Sequence, residues 1–228
     1  MRRKLAKPWK RSYSQLGEDL VIIFIFSILK ISNPTYLDIG TNDPKKLNNT
    51  YKLYSKGWKG VCIEPDPVLC KKIRKVRPND MVLNVGVGIS EEKSVNFYLM
   101  DDHRLNTFSE HEAARMKTMG HTIQKMISIP LIPIHKIIKD NFATYPNFVS
   151  IDTEGMDLDI IKTFDFTTSL PEVFCIETVI YKKGGLGKKI PEIRELMERN
   201  GYFAFTDTYI NTIFVNKKAW ESRGHSTF

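Results

Sequence analysis

Short apolar runs alternating with helical segments constrain this chain most. Residues 36–39, 60–64, 81–87, 148–152 and 173–179 are each too short for an ordinary helix and too apolar for a loop. Runs of this length between turn residues read as strands buried on both faces. Helical patterns lie between and beyond them, at residues 48–56, 68–76, 110–119, 156–164 and 190–200, the last closed by Gly201. The alternation predicts an α/β fold: a mostly parallel, Rossmann-like sheet with helices on both faces. Residues 202–207 and 212–216 flank Tyr209-Ile210-Asn211 and predict a closing hairpin, hence one antiparallel strand on the C-terminal side. Residues 94–100 and 127–134 alternate instead, and Pro130 and Pro133 push the second of these toward a sheet edge. The tail after Asn216 is short and need not be ordered.

The 228 residues suit one domain, 1–228, able to bury a core without staples. Within it, residues 1–33 form a basic segment and a helix opened by Ser14 as cap with Glu18 and Asp19 in the first turn, and 90–134 an insertion covering the site. The apolar run 20–31 falls short of the roughly 20 residues a bilayer span needs. It follows acids and has no small-residue cleavage site, so the expectation is a cytoplasmic protein with no stable membrane insertion. Cys62, Cys70 and Cys175 form no metal spacing and read as reduced, buried thiols. The net charge of +8 favours anionic partners, with Arg2, Arg3, Lys4, Lys7, Lys10 and Arg11 at the start and Lys182, Lys183, Lys188 and Lys189 around a glycine-rich turn. That turn reads either as a plain solvated loop or as a flap holding an anionic substrate.

In an open α/β sheet, ligands sit beyond the carboxyl ends of the strands. Here those ends carry Asp38, Gly40, Asn42 and Asp43; Glu64 and Asp66; Gly86 and Gly88; Asp152, Glu154 and Asp157; and Glu177 with Thr178. The first loop, Asp38-Ile39-Gly40-Thr41-Asn42, lacks the glycines that let backbone approach a pyrophosphate. It suits a ligand with an amino-acid tail and no phosphate. Glu64 suits a ribose diol. S-adenosylmethionine (SAM) meets both requirements.

Four segments carry a resemblance: Tyr13-Ser14-Gln15-x-Gly17-Glu18-Asp19, Asp38-Ile39-Gly40-Thr41-Asn42-Asp43-Pro44, Gly57-Trp58-x-Gly60-Val61-x-Ile63-Glu64-Pro65 and Ile151-Asp152-Thr153-Glu154-Gly155. Together they resemble the FkbM family of class I SAM-dependent methyltransferases, over residues 13–179. Thr41 stands where the family more commonly has alanine. The resemblance implies O-methylation of a small molecule or sugar, and its serine-glutamine start is similar to that of enzymes of surface-polysaccharide biosynthesis. It implies SAM contacts from Asp38, Gly40, Asn42, Asn49, Glu64 and Pro65, with Asn84, Val85 and Gly86 near the adenine and Asp101 close by. Asp152 and Glu154 would face the methyl group and the acceptor.

A sugar hydroxyl is a weak nucleophile, so positioning and a nearby base should both help. Asp152 or Glu154 is the expected base, although either acid could instead serve the start of the following helix. Asn106, His103, His111, Glu177 and Lys182 are the expected acceptor-binding residues, His103 or His111 being the other candidates for a base. Asp152, Glu154 and Glu177 could also converge as oxygen ligands for a divalent metal. The expected substrate is a small molecule or nucleotide-linked sugar and not nucleic acid, because no [DNS]PP[FYW] motif and no aromatic stacking stripe accompany the basic residues. The alternatives are a nucleic-acid methyltransferase and a SAM-fold binding protein without catalysis. The sequence leaves the oligomeric state open.

Overall fold

The apolar runs become the centre of a seven-stranded sheet. The computed structural model describes residues 11–89, 93–153, 155–180 and 187–224. In chain order, the first half holds α1 (Glu18–Ile28), β1 (Tyr36–Ile39), α2 (Tyr51–Tyr54), β2 (Gly60–Ile63), α3 (Pro67–Val76), β3 (Met81–Leu83), β4 (Gly86–Gly88), β5 (Ser94–Met100) and α4 (Glu110–Thr118). Then follow β6 (Ile123–Pro133), α5 (Ile134–Asn141), β7 (Phe148–Ile151), α6 (Asp157–Lys162), β8 (Val173–Glu177), β9 (Val179–Ile180), β10 (Lys188–Lys189), α7 (Pro191–Arg199), β11 (Tyr202–Asp207), β12 (Asn211–Asn216) and α8 (Lys217–Glu221).

The large sheet has the order β11-β12-β8-β7-β1-β2-β3. Pairing is parallel from β8 through β3, and β12 runs antiparallel to both of its neighbours. The chain steps outward from β1 to β3 and then returns to β7 on the other side of β1, so the order switches between β1 and β7. A crevice at the carboxyl ends of these two strands is the usual ligand position in such a sheet. Side-chain alternation assigns the faces of β1. Leu37 and Ile39 join Val61, Ile63, Val149 and Ile151 in one core, whereas Tyr36 packs with Phe148 and with Ile22, Ile25 and Phe26 of α1. Asp38 lies on the Tyr36 side. The three cysteines are buried and free.

Several boundaries differ from expectation. Residues 81–87 are not one strand: β3 ends at Leu83, and Gly86–Gly88 pairs in parallel with Leu131–Pro133 of β6. β6 is not an edge strand but the middle of a three-stranded sheet, β4-β6-β5. Its prolines are tolerated because each faces a single ladder partner, Pro130 opposite Ser94 and Pro133 opposite Gly88. Gly17, not Ser14, is the N-cap of α1, and the Ser14 hydroxyl instead accepts the Asp19 N–H at 3.2 Å. The helix expected over 48–56 is confined to Tyr51–Tyr54, and α5 and α8 appear where no helix was expected. Among the described residues no helix is long and apolar enough to cross a membrane.

Candidate active site

A cavity of about 1400 Å³ opens at the carboxyl ends of β1, β2 and β7. It exceeds the roughly 300–1,000 Å³ of a usual small-molecule pocket, so it has room for two ligands side by side. Its floor is built by the turns after the strands, and its roof by β5, β6 and the short 3-10 turn His103–Leu105.

Gly40 sits in the left-handed region at φ 82, and a Cβ there would lie 1.9 Å from the Asp152 carbonyl oxygen. The β1 and β7 turns therefore close on each other only because residue 40 has no side chain. Asn42, also left-handed at φ 52, donates its N–H to Glu64 Oε2 at 2.7 Å. Asp66 donates its N–H to Glu64 Oε1 at 2.8 Å. The Asp66 carboxylate in turn caps α3 by accepting from the Val68 N–H at 2.7 Å, with Pro67 at the first helical position. The Glu64 side chain is thus fixed at the cavity wall by two backbone donors. Burial pushes its carboxyl up to about 7, helped by the charges of Asp66 and Asp38 and opposed by the two N–H donors. Each oxygen has accepted one hydrogen bond, which leaves capacity for a diol.

Beside it lies an apolar slot. Ile63, Pro65, Val85, Gly86, Phe97, Phe108 and Leu131 line it. Phe97 and Phe108 pack with ring centroids 4.6 Å apart. A Cβ on Gly86 would come within 2.7 Å of Phe108 and of Leu131, so this glycine lets the roof close onto the floor. Asn106 fastens the roof: its Oδ1 accepts the Met100 N–H at 2.8 Å and its Nδ2 donates to Asp66 at 3.2 Å.

The structure brings together Gly40, Asn42, Glu64, Pro65, Val85, Gly86, His103, Asn106 and Asp152 of the residues singled out from the sequence. Others do not line the cavity. Asp38 faces the opposite side of β1, where its carboxylate accepts from Thr50 at 2.6 Å and from Asn48 at 3.5 Å and lies 3.6 Å from Arg77. Burial pushes its carboxyl up, against the pull of Arg77. Asn49 is buried beneath the sheet end, donating to Ser150 at 3.2 Å and to Cys175 at 3.6 Å, and its Oδ1 has no partner among the described residues. Asn84 directs its amide at the carbonyls of Glu64 and Pro65, at 3.0 and 2.7 Å. Asp101 pairs with His121 at 3.0 Å, away from the cavity. His111 is an exposed residue on α4 near Glu112, and Glu177 is buried outside the cavity lining. Lys189 ties the β9–β10 hairpin to the β11–β12 turn through Thr178, Asp207 and the Tyr209 carbonyl rather than reaching the cavity. Glu154 and Lys182, like Lys183, His225 and the basic residues before Arg11, lie outside the described residues.

Asp152 is the acid of the Asp-Thr-Glu-Gly element that the structure places at the cavity. The turn after it is organised by Asp157, which accepts from the Thr153 N–H at 3.0 Å and hydroxyl at 3.2 Å, and from the Gly155 N–H at 3.3 Å. Among the described residues no group of three histidine, cysteine, aspartate or glutamate side chains is placed to hold a metal ion. Sequence reasoning placed Asp157 at this strand end without its turn-organising role, and missed Phe97 and Phe108 as lining residues, because their meeting depends on long-range closure. Arg11 and Tyr13, read from the sequence only as part of a basic start and of a motif, line the cavity together with Lys45 and Lys46, which sequence reasoning missed.

The family model described as the methyltransferase FkbM domain matches residues 38–204. Comparison with curated protein sequences gives no match. Among solved structures, a candidate caffeoyl-CoA O-methyltransferase from Staphylococcus aureus superposes with a TM-score of 0.50 at 8% identity, over 90% of this chain and 85% of that one. A TehB-like SAM-dependent methyltransferase from Corynebacterium glutamicum gives 0.45 at 12% identity, over 91% and 90%. Magnesium protoporphyrin IX methyltransferase from Synechocystis with bound S-adenosylhomocysteine (SAH) gives 0.47 at 7% identity, over 88% and 82%.

Proposed function

The chain belongs to the FkbM methyltransferase family and is a SAM-dependent methyltransferase, and from that premise we propose that it methylates a hydroxyl group of a sugar, free or nucleotide-linked, in polysaccharide biosynthesis. The observation that carries this reading is the position of Asp152. Its residue lines the same cavity as Glu64 and touches Gly40 through the backbone.

The residues at the floor fit SAM. Glu64 has lone-pair capacity for the ribose diol, the slot between Val85 and Phe108 suits a flat apolar ring, and Gly40 leaves backbone open where a side chain could not stand. Bound there, SAM would supply an electrophilic methyl group on a sulfonium. The chain's own contribution is to hold the partners in place and keep water out, which in a displacement reaction can account for much of the acceleration. Phe97, Phe108 and Leu131 exclude water from the slot. Asp152 orients the acceptor hydroxyl and takes its proton at a carboxylate oxygen. Glu154 is the second candidate for this role. His103, in the roof, faces the acceptor, and Asn106 clasps that roof to Asp66, in keeping with a 90–134 insertion that covers the acceptor.

The test is Asp152→Asn. SAH affinity by calorimetry should stay within about twofold, whereas turnover on a hydroxylated acceptor should fall by about 10²–10⁴, the usual weight of a general base. Full activity in the variant would remove Asp152 from this role. Absence of any SAH heat with the unaltered protein would overturn the cofactor site itself.

A further inference from the structure

The mouth of the cavity holds cations that the cofactor site does not use. The serine-glutamine motif explains how they come together. Asp19 accepts from the Ser12 hydroxyl at 2.7 Å, the Tyr13 N–H at 2.8 Å and the Ser14 hydroxyl at 3.1 Å, and so folds residues 12–14 into a tight loop. The Tyr13 carbonyl then accepts the Asn48 N–H at 2.9 Å, which pins this loop against the turn after β1. Tyr13 meets Tyr51 edge to face, with centroids 4.7 Å apart.

Three cations gather on the Tyr13 ring. Arg11 lies 5.4 Å, Lys45 5.9 Å and Lys52 5.7 Å from its centroid. Lys46 lines the same wall. None of these four forms an ion pair with a carboxylate among the described residues. The nearest acid on this loop, Asp43, is already neutralised by Lys72 at 2.6 Å. Cation–π attraction holds the charges over the ring and Lys52 also donates to the Arg11 carbonyl at 2.7 Å, but among the described residues no carboxylate pairs with them to offset their mutual repulsion. Arg11, Lys45 and Lys46 line the cavity, so an anion entering it supplies the missing charge.

We propose that Arg11 and Lys45, held over the Tyr13 ring, and Lys46 in the same cavity lining form a subsite for a phosphate or diphosphate group on the acceptor. This rests on the methyltransferase reading and narrows its substrate to a phosphorylated sugar. The cationic loop is contributed by the N-terminal motif and the β1 turn, so the motif builds a substrate wall.

Inorganic pyrophosphate, titrated by calorimetry into the full chain saturated with SAH, tests this. The unaltered protein should bind it, and Arg11→Ala/Lys45→Ala should bind it at least about tenfold more weakly, as loss of charge-assisted hydrogen bonds implies. SAH affinity should stay within about twofold, since the pair lies away from Glu64. Arg11→Lys/Lys45→Arg should retain pyrophosphate binding. If the double variant fails to fold, Lys45→Ala alone should weaken pyrophosphate about threefold or more, half or so of one such contact. Three results overturn the proposal: no pyrophosphate binding although SAH binds, a parallel loss of SAH affinity, which assigns the cations to the cofactor's carboxylate, or tighter binding of an RNA oligonucleotide through the same residues. Failure of SAH to bind at all strikes the methyltransferase reading instead.

Discussion

Glu64 shows how one side chain can be made both a structural anchor and a ligand. Two backbone N–H groups hold it, yet burial pushes its carboxyl up to about 7. Because the folded-state value exceeds the ordinary one, the folded chain favours the protonated form. Its contribution to stability is fully present below the ordinary value of 4.5 and is lost as pH rises through about 7. A ribose diol donates hydrogen bonds and so prefers the carboxylate. SAH affinity should therefore rise with pH from about 6 to 8 and then level, and Glu64→Gln should lose this dependence. At pH 8 the variant should bind SAH about 10- to 150-fold more weakly, the weight of hydrogen bonds to a charged group. Calorimetry across pH decides it; a pH-independent affinity in the unaltered protein would place the diol elsewhere. Asp38, by contrast, illustrates what a linear motif hides. The Asp-x-Gly pattern correctly marks a strand end, but alternation along β1 puts Asp38 on the face of Tyr36, opposite Ile39. The sequence contains that parity, and only the pairing with Arg77, 39 residues downstream by their numbering, reveals its use.

At the scale of elements, the core strands were legible because burial on both faces leaves an unbroken apolar run. Residues 36–39, 148–151 and 173–177 are buried at every position. The roof was harder. The sequences of β5 and β6 alternate, which fits an edge as well as a small sheet, most of their residues are exposed or half-buried, and the break at Asn84 between β3 and β4 leaves no mark in hydropathy. What fixes the roof is not a pattern but a few clasps, above all Asn106 between Met100 and Asp66. Asn106→Ala should therefore loosen the roof while leaving the large sheet intact. Amide hydrogen exchange in residues 94–107 should accelerate by an amount matching about 1–3 kcal/mol, and the global melting temperature should change little. Unchanged exchange there would show that the Phe97–Phe108 pair alone holds the roof.

Across the whole molecule, the site depends on a charge network on the far side of β1. Arg77 is fully buried. Its Nε donates to Asp80 at 2.8 Å and its Nη2 to Thr50 at 2.9 Å, while Nη1 approaches Asp38. Asp80 also accepts from Tyr36 at 2.8 Å and from the Gly60 N–H at 3.0 Å, so the network joins β1, β2, α2 and the end of α3. These are the elements whose turns carry Gly40 and Glu64. The network thus sets the register of the cofactor floor without touching it, and Asn48 links it to the Tyr13 loop and the cationic mouth. Removing the cation alone should be costly. Arg77→Met should lower unfolding stability by about 3–5 kcal/mol at neutral pH, because it strands buried carboxylates. Asp38 is already pushed up by burial with Arg77 opposing it, and loss of the arginine raises it further. In the variant, stability attached to protonated Asp38 is present in acid and disappears as pH rises through its elevated value. The deficit relative to the unaltered protein should accordingly be smaller at pH 5 than at pH 8, and Arg77→Met/Asp80→Asn should recover part of it. Urea denaturation at the two pH values measures both effects. An equal deficit at both would mean that lost packing of the guanidinium, not stranded charge, is what the floor of this cavity rests on.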